Sequence, residues 1–201
     1  MQKKKNIIIV ICLVAVIILA VVLFVFLESK KIKTNDTLVT SSDIKTMLNT
    51  IYKNLGDDIP SLDTEEITLD DSDMVKSLTG LEDTKDIKTL VVSEPLMNAQ
   101  ALEVAVLKTN ENANVNGLME SIKNSVNMDR WICVSAEKLY LASSGDVIFM
   151  VMADSDWAKS IYDEFVKYMD NKIDKTLERD NTFDGDIDSE FPDDERIPVA
   201  D

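Results

Sequence analysis

Asp180, Asp184 and Asp188 recur at every fourth position of the segment Asp180-Asn181-Thr182-Phe183-Asp184-Gly185-Asp186-Ile187-Asp188-Ser189-Glu190-Phe191, and Asp186 and Glu190 add two more carboxylates. Carboxylate oxygens at this spacing suit a hard divalent cation. They occupy the first, fifth and ninth positions of a helix-flanked calcium loop, with Gly185 at its sharp turn and Ile187 at its apolar eighth position. Two residues depart from that pattern: Thr182 replaces the usual third-position ligand, and Phe191 stands where a bidentate Glu should close the shell, Glu190 coming one residue early. Pro192 and Pro198 then oppose a second flanking helix. The main reading of these residues is a solvated acidic tail, and calcium uptake is the alternative.

Elsewhere the residue types exclude more chemistry than they suggest. The chain has no histidine, which removes Ser-His-Asp and Cys-His nucleophile systems and the commonest zinc ligand. Two cysteines far apart make no structural zinc site, and five glycines include no phosphate-binding spacing. A carboxylate pair could serve as acid and base, but nothing singles out two among so many. The expectation is a chain without catalytic residues and without a cofactor, a carboxylate-based enzyme being the least favoured reading.

The element that positions all the rest is Ile7 to Leu27, 21 consecutive apolar residues entered through Lys3, Lys4 and Lys5 and left through Glu28, Ser29, Lys30 and Lys31. At about 1.5 Å per residue such a helix covers roughly 30 Å, the hydrocarbon thickness of a bilayer, with its backbone polar groups satisfied internally. A cleaved secretory signal would have a shorter core and small residues where Leu23 to Leu27 stand. The lysines on the two flanks nearly balance, with a small bias to a cytoplasmic N-terminus. The expectation is a single-pass cell-membrane protein, held in the lipid bilayer by Ile7 to Leu27, with its C-terminal domain extracytoplasmic.

Charge divides at the same place. The first 33 residues carry net +5, and the other 168 carry net −21. An acidic domain of this kind repels nucleic acid and anionic lipid, and favours cationic partners. Cys12 falls inside the span and Cys133 beyond it, so the two cannot pair; between Ile132 and Val134, Cys133 reads as buried and structural.

Beyond a basic leader (1–6), the anchor (7–27) and a tether (28–40), residues 41–179 read as one α+β domain, followed by an acidic, disordered tail (180–201). Ser41 or Ser42 caps a helix in which Ile44, Met47, Leu48, Ile51, Tyr52 and Leu55 recur at helical spacing up to Gly56. Gly56 to Asp73 reads as an acidic loop, and Asp73 to Leu78 as a short helix. Ile87 to Ser93 and Leu102 to Thr109 read as strands. Asn114 to Met128 presents Val115, Leu118, Met119, Ile122 and Val126 on one helical face. Lys138 to Ala142 and Val147 to Met152 flank the turn residues Ser143 to Asp146, and the apolar second run predicts a central strand. Trp157, Ala158, Ile161, Phe165, Met169 and Ile173 predict a long last helix. Trp131 and Trp157 read as core anchors. The packing expected is a mostly antiparallel four-stranded sheet with helices over one face.

Three stretches, Leu78-Thr79-Gly80-Leu81, Pro95 to Lys108 and Gly145 to Val151, give the chain a pattern that resembles the bacterial family catalogued as domain of unknown function 4358. The similarity runs over roughly Ser42 to Met169. It implies attachment to the cell envelope and carries no activity or catalytic residues across. The function expected is therefore a membrane-anchored, non-catalytic interaction module with an envelope protein partner, the alternative being a calcium-responsive sensor using the tail or the acidic loop.

Overall fold

The computed structural model describes residues 38–96 and 99–181. The span Ile7 to Leu27, residues 28–37 of the tether and the candidate ligands Asp184, Asp186, Asp188 and Glu190 lie outside the described residues. Four α-helices and six strands follow in the order α1 (Ser41–Leu55), a 3₁₀ turn (Gly56–Asp58), β1 (Leu62–Ile67), α2 (Ser72–Thr79), β2 (Ile87–Pro95), β3 (Glu103–Thr109), α3 (Val115–Ser125), β4 (Lys138–Ser144), β5 (Val147–Ala153), α4 (Ser155–Tyr168) and β6 (Lys175–Asp180). The strands form one sheet in the order β1-β2-β3-β5-β4-β6, and every neighbouring pair is antiparallel.

The α+β class and the antiparallel sheet are as expected, but the sheet has six strands rather than four. β1 falls within the stretch expected as an acidic loop, and β6 follows the long helix. Among the described residues both are edge strands, paired on one side only. Leu62-Asp63-Thr64-Glu65-Glu66-Ile67 has apolar residues only at its ends, and Lys175-Thr176-Leu177-Glu178-Arg179-Asp180 has one apolar residue, so neither carries the hydrophobic signal of a strand. The last helix stops at Tyr168 because Asp170 and Asn171 take left-handed φ values of 53° and 61°, turning the chain back to the sheet. Asp and Asn are the side chains that tolerate this conformation best after glycine.

Helices also cover both faces of the sheet, not one. Every residue of β3 and of β5 is buried. Ala105, Leu107, Ile148, Met150 and Met152 face a core shared with Val75 and Leu78 of α2 and Met119 and Ile122 of α3. Val104, Val106, Phe149 and Val151 face a second core shared with Ile44, Met47, Leu48 and Ile51 of α1 and Ala158, Ile161 and Phe165 of α4. Within the second core the rings of Phe149 and Phe165 stack with centroids 4.1 Å apart, tying α4 to the central strand.

Local signals fix the helix ends. Thr40, one residue before the expected caps, closes α1 with a capping box: its Oγ1 accepts from the Asp43 amide at 3.2 Å, and its own amide donates to Asp43 Oδ2 at 2.9 Å. The Thr40 hydroxyl, which donates to Asp43 Oδ2 at 2.7 Å, and the Thr40 amide together hold the Asp43 carboxyl below its ordinary range. The C-terminus of α3 is closed from a distance. Arg179 of β6 donates through Nη1 to the Lys123 carbonyl and through Nη2 to the Val126 carbonyl, the latter at 2.5 Å. A guanidinium there satisfies carbonyls that the helix leaves free and complements its dipole.

Gly80 ends α2 at φ 74°, and a Cβ built there would lie 2.5 Å from the Ser125 carbonyl carbon and from the Val126 nitrogen. Glycine is required both by the backbone conformation and by the closeness of the α3 terminus. Gly80→Ala is expected to lower stability by about 2–4 kcal/mol, since a left-handed alanine and a clash with immobile backbone act together. Urea unfolding measures the loss; a loss within about 0.5 kcal/mol would mean that the α2–α3 contact yields easily.

Candidate functional site

The sheet buries two charged side chains, Lys108, which pairs with Asp146, and Glu103. Glu103 opens β3 with 0% exposure and sits opposite Met152 of β5. On its other side the β2–β3 ladder ends at the Ser93–Val104 pair, so Glu94 is its next neighbour on β2. Two carboxylates thus share one end of the sheet, and Arg130, from the connection between α3 and β4, reaches both. Its Nη2 donates to Glu94 Oε1 and stands 2.8 Å from Glu103 Oε2. The guanidinium also lies over the Trp131 ring, 4.9 Å from its centroid.

The two ion pairs are unequal. Nη2 is aligned as a donor on Glu94, which is partly exposed, whereas both Glu103 oxygens and Arg130 Nε are buried without a hydrogen bond among the described residues. Proximity to one shared cation does not offset complete removal from water. Burial therefore pushes the Glu103 carboxyl well above its ordinary value of 4.5, and lowers Arg130 from its own.

Beside this cluster Arg130 lines an open cleft of about 380 Å³ with Asp73, Lys76, Ser77, Glu82 and Asn127. A second cleft of about 370 Å³, bordered by Asp83, Lys85, Asp86 and Asn114, lies across the Gly80–Ser125 contact, which lines both. Glu103 lines neither. The arrangement holds the α3–β4 connection to the end of the sheet. Among the described residues no three His, Cys, Asp or Glu side chains come together to hold a metal ion.

Asp180 is the last residue of β6, and its Oδ1 accepts from Lys138 Nζ at 2.8 Å, with Glu178 on the same ammonium at 3.1 Å. Both carboxylates raise the Lys138 pKa. Asp180 thus belongs to a strand and an ion pair, and would have to leave Lys138 to open a calcium loop. The stretch from Gly56 to Asp73 is a 3₁₀ turn, an edge strand and a helix start rather than a loop. Cys133 is exposed, not buried, and takes φ 64°, while Ile132 beside it is 82% exposed. That connection turns outward after Trp131, which packs on the α2–α3 side of the core. Trp157 packs on the opposite side, so both tryptophans anchor as expected. Glu94, Glu103 and Arg130 were not singled out from the sequence, although a glutamate enclosed by Leu102 and Val104 in an otherwise apolar run is a visible sign of a buried charge.

Glu103 gives a pH dependence of defined sign. In the folded state it keeps its proton to higher pH than in the unfolded chain, so its contribution to stability is complete below about 4.5 and is lost as pH rises toward the folded value. Glu103→Gln does not titrate, and its stability relative to wild type is expected to improve steadily from pH 4.5 to 7 in urea unfolding. A relative stability that stays flat or worsens would mean that Arg130 holds Glu103 ionised. No family model, no curated protein and no solved structure matches the chain.

Proposed function

We propose that the chain is a single-span membrane protein whose α+β domain stands outside the cytoplasm as a non-catalytic interaction module of the cell envelope, with another envelope protein as its partner. The observation that carries this reading is Ile7 to Leu27: 21 apolar residues without a break, flanked by lysines on both sides. Among the described residues no helix is long and apolar enough to cross a membrane. The non-catalytic part rests on the absence of histidine and on the Arg130 cluster, whose buried carboxylate lines neither of the two clefts described and whose guanidinium ties down a connection. The resemblance to an envelope-tethered family points the same way.

Cys133 makes the location testable in the natural chain. It is exposed on the domain, while Cys12 lies within the proposed bilayer segment. A membrane-impermeant maleimide is expected to label intact cells that produce the wild-type chain and to leave Cys133→Ser unlabelled. Labelling of wild type only after lysis would place the domain in the cytoplasm and overturn the proposal.

A further inference from the structure

The two edges of the sheet differ in a way that selects a partner. On β6 the charges are engaged inside the molecule: Lys175 pairs with Glu120 at 2.8 Å, Glu178 and Asp180 with Lys138, and Arg179 with the carbonyls of α3. On β1 they are not. Asp63, Glu65 and Glu66 are exposed, and among the described residues no basic side chain pairs with them. Cross-strand, Asp63 faces Glu94, which spends its own charge on Arg130. Exposed Asp57 and Asp58 precede the strand and exposed Asp70, Asp71 and Asp73 follow it, with no Lys or Arg between Lys53 and Lys76.

We infer that the free edge of β1 receives an extended, lysine- or arginine-rich segment of a protein partner, which adds to the sheet as a seventh strand. Among the described residues β1 pairs with β2 along one side only, so its other side offers backbone donors and acceptors at strand spacing. Six residues present roughly 20 Å of edge. The side chains decide what pairs there. A second copy of β1 would set carboxylate against carboxylate, which repels, whereas a basic strand meets opposite charge on both of its faces: Asp63 and Glu65 on one, Glu66 on the other. The same charges thus guard the edge against self-association and admit a complementary strand. This names the surface and partner of the proposed interaction module, and rests on that reading only for the existence of a protein partner.

The test uses the full chain in neutral detergent micelles and a fluorescent peptide of about ten residues in which pairs of Lys alternate with single Val or Thr residues, so that both faces of the added strand carry Lys. Anisotropy is expected to show salt-sensitive binding, and a peptide with Glu in place of Lys is expected not to bind. Combining Asp63→Asn, Glu65→Gln and Glu66→Gln is expected to weaken binding about tenfold, three lost cross-strand charge pairs acting together. Removing the same charge elsewhere, through Asp83→Asn, Glu111→Gln and Asp156→Asn, is expected to leave affinity within about twofold. Backbone amides within Leu62–Ile67 are expected to exchange more slowly when the peptide is bound, which adsorption by charge alone would not cause. No binding of the basic peptide, equal weakening by the two triple variants, or unchanged exchange in β1 would each overturn the inference. Failure of the envelope location shows separately, as the absence of Cys133 labelling in intact cells, and leaves these peptide results unaltered.

Discussion

The structure depends on the burial of β3 and β5 from both sides. Neither strand has an exposed residue, so the sheet cannot rest against a single helical layer as a one-faced antiparallel sheet does. Two cores are the consequence, one closed by α2 and α3 and the other by α1 and α4. Within these two strands polar side chains are confined to the ends of β3, Glu103 at one and Lys108 and Thr109 at the other, and β5 has none. Lys108 is paired: its ammonium lies 2.6 Å from Asp146 in the β4–β5 turn. Glu103 differs, buried beside a cation that it shares with Glu94 and without an aligned hydrogen bond.

Legibility in the sequence followed the amount of surface each element buries. The central strands and the four helices were readable because their apolar residues recur at strand or helix spacing. Their bounds shifted by only a few residues at most of the ends, as with Thr40 replacing Ser41 as the cap of α1. β1 and β6 were not readable, because an edge strand needs little apolar surface and owes its place to a neighbour's backbone. The same two strands account for the change from four to six. The apolar run of Val147 to Met152 already required cover on both faces, so the one-layer packing expected from the order of elements was in conflict with the strand it contained.

The candidate site was less legible than the fold for a different reason. Arg130 meets Glu94 and Glu103 only because a connection folds back over a strand end, and spacing along the chain says nothing about such a meeting. Cys133 shows the converse error. Its apolar neighbours suggested burial, yet an irregular connection obeys no periodicity, and Ile132 and Cys133 point outward. The acidic segment around β1 stands out by composition, but only its position at a sheet edge turns charge into a surface with direction and register.

Arg179 joins the last described strand to the end of α3, more than fifty residues earlier. Chains are synthesised from one end, and α3 emerges long before β6. Until residue 179 is available, two terminal carbonyls of α3 and the outer side of β4 can be satisfied only by water. Completion of the domain is therefore an event of late biogenesis, reached after nearly all of the domain has left the ribosome. Quality control in the cell would meet a species with both cores largely assembled and one flank open.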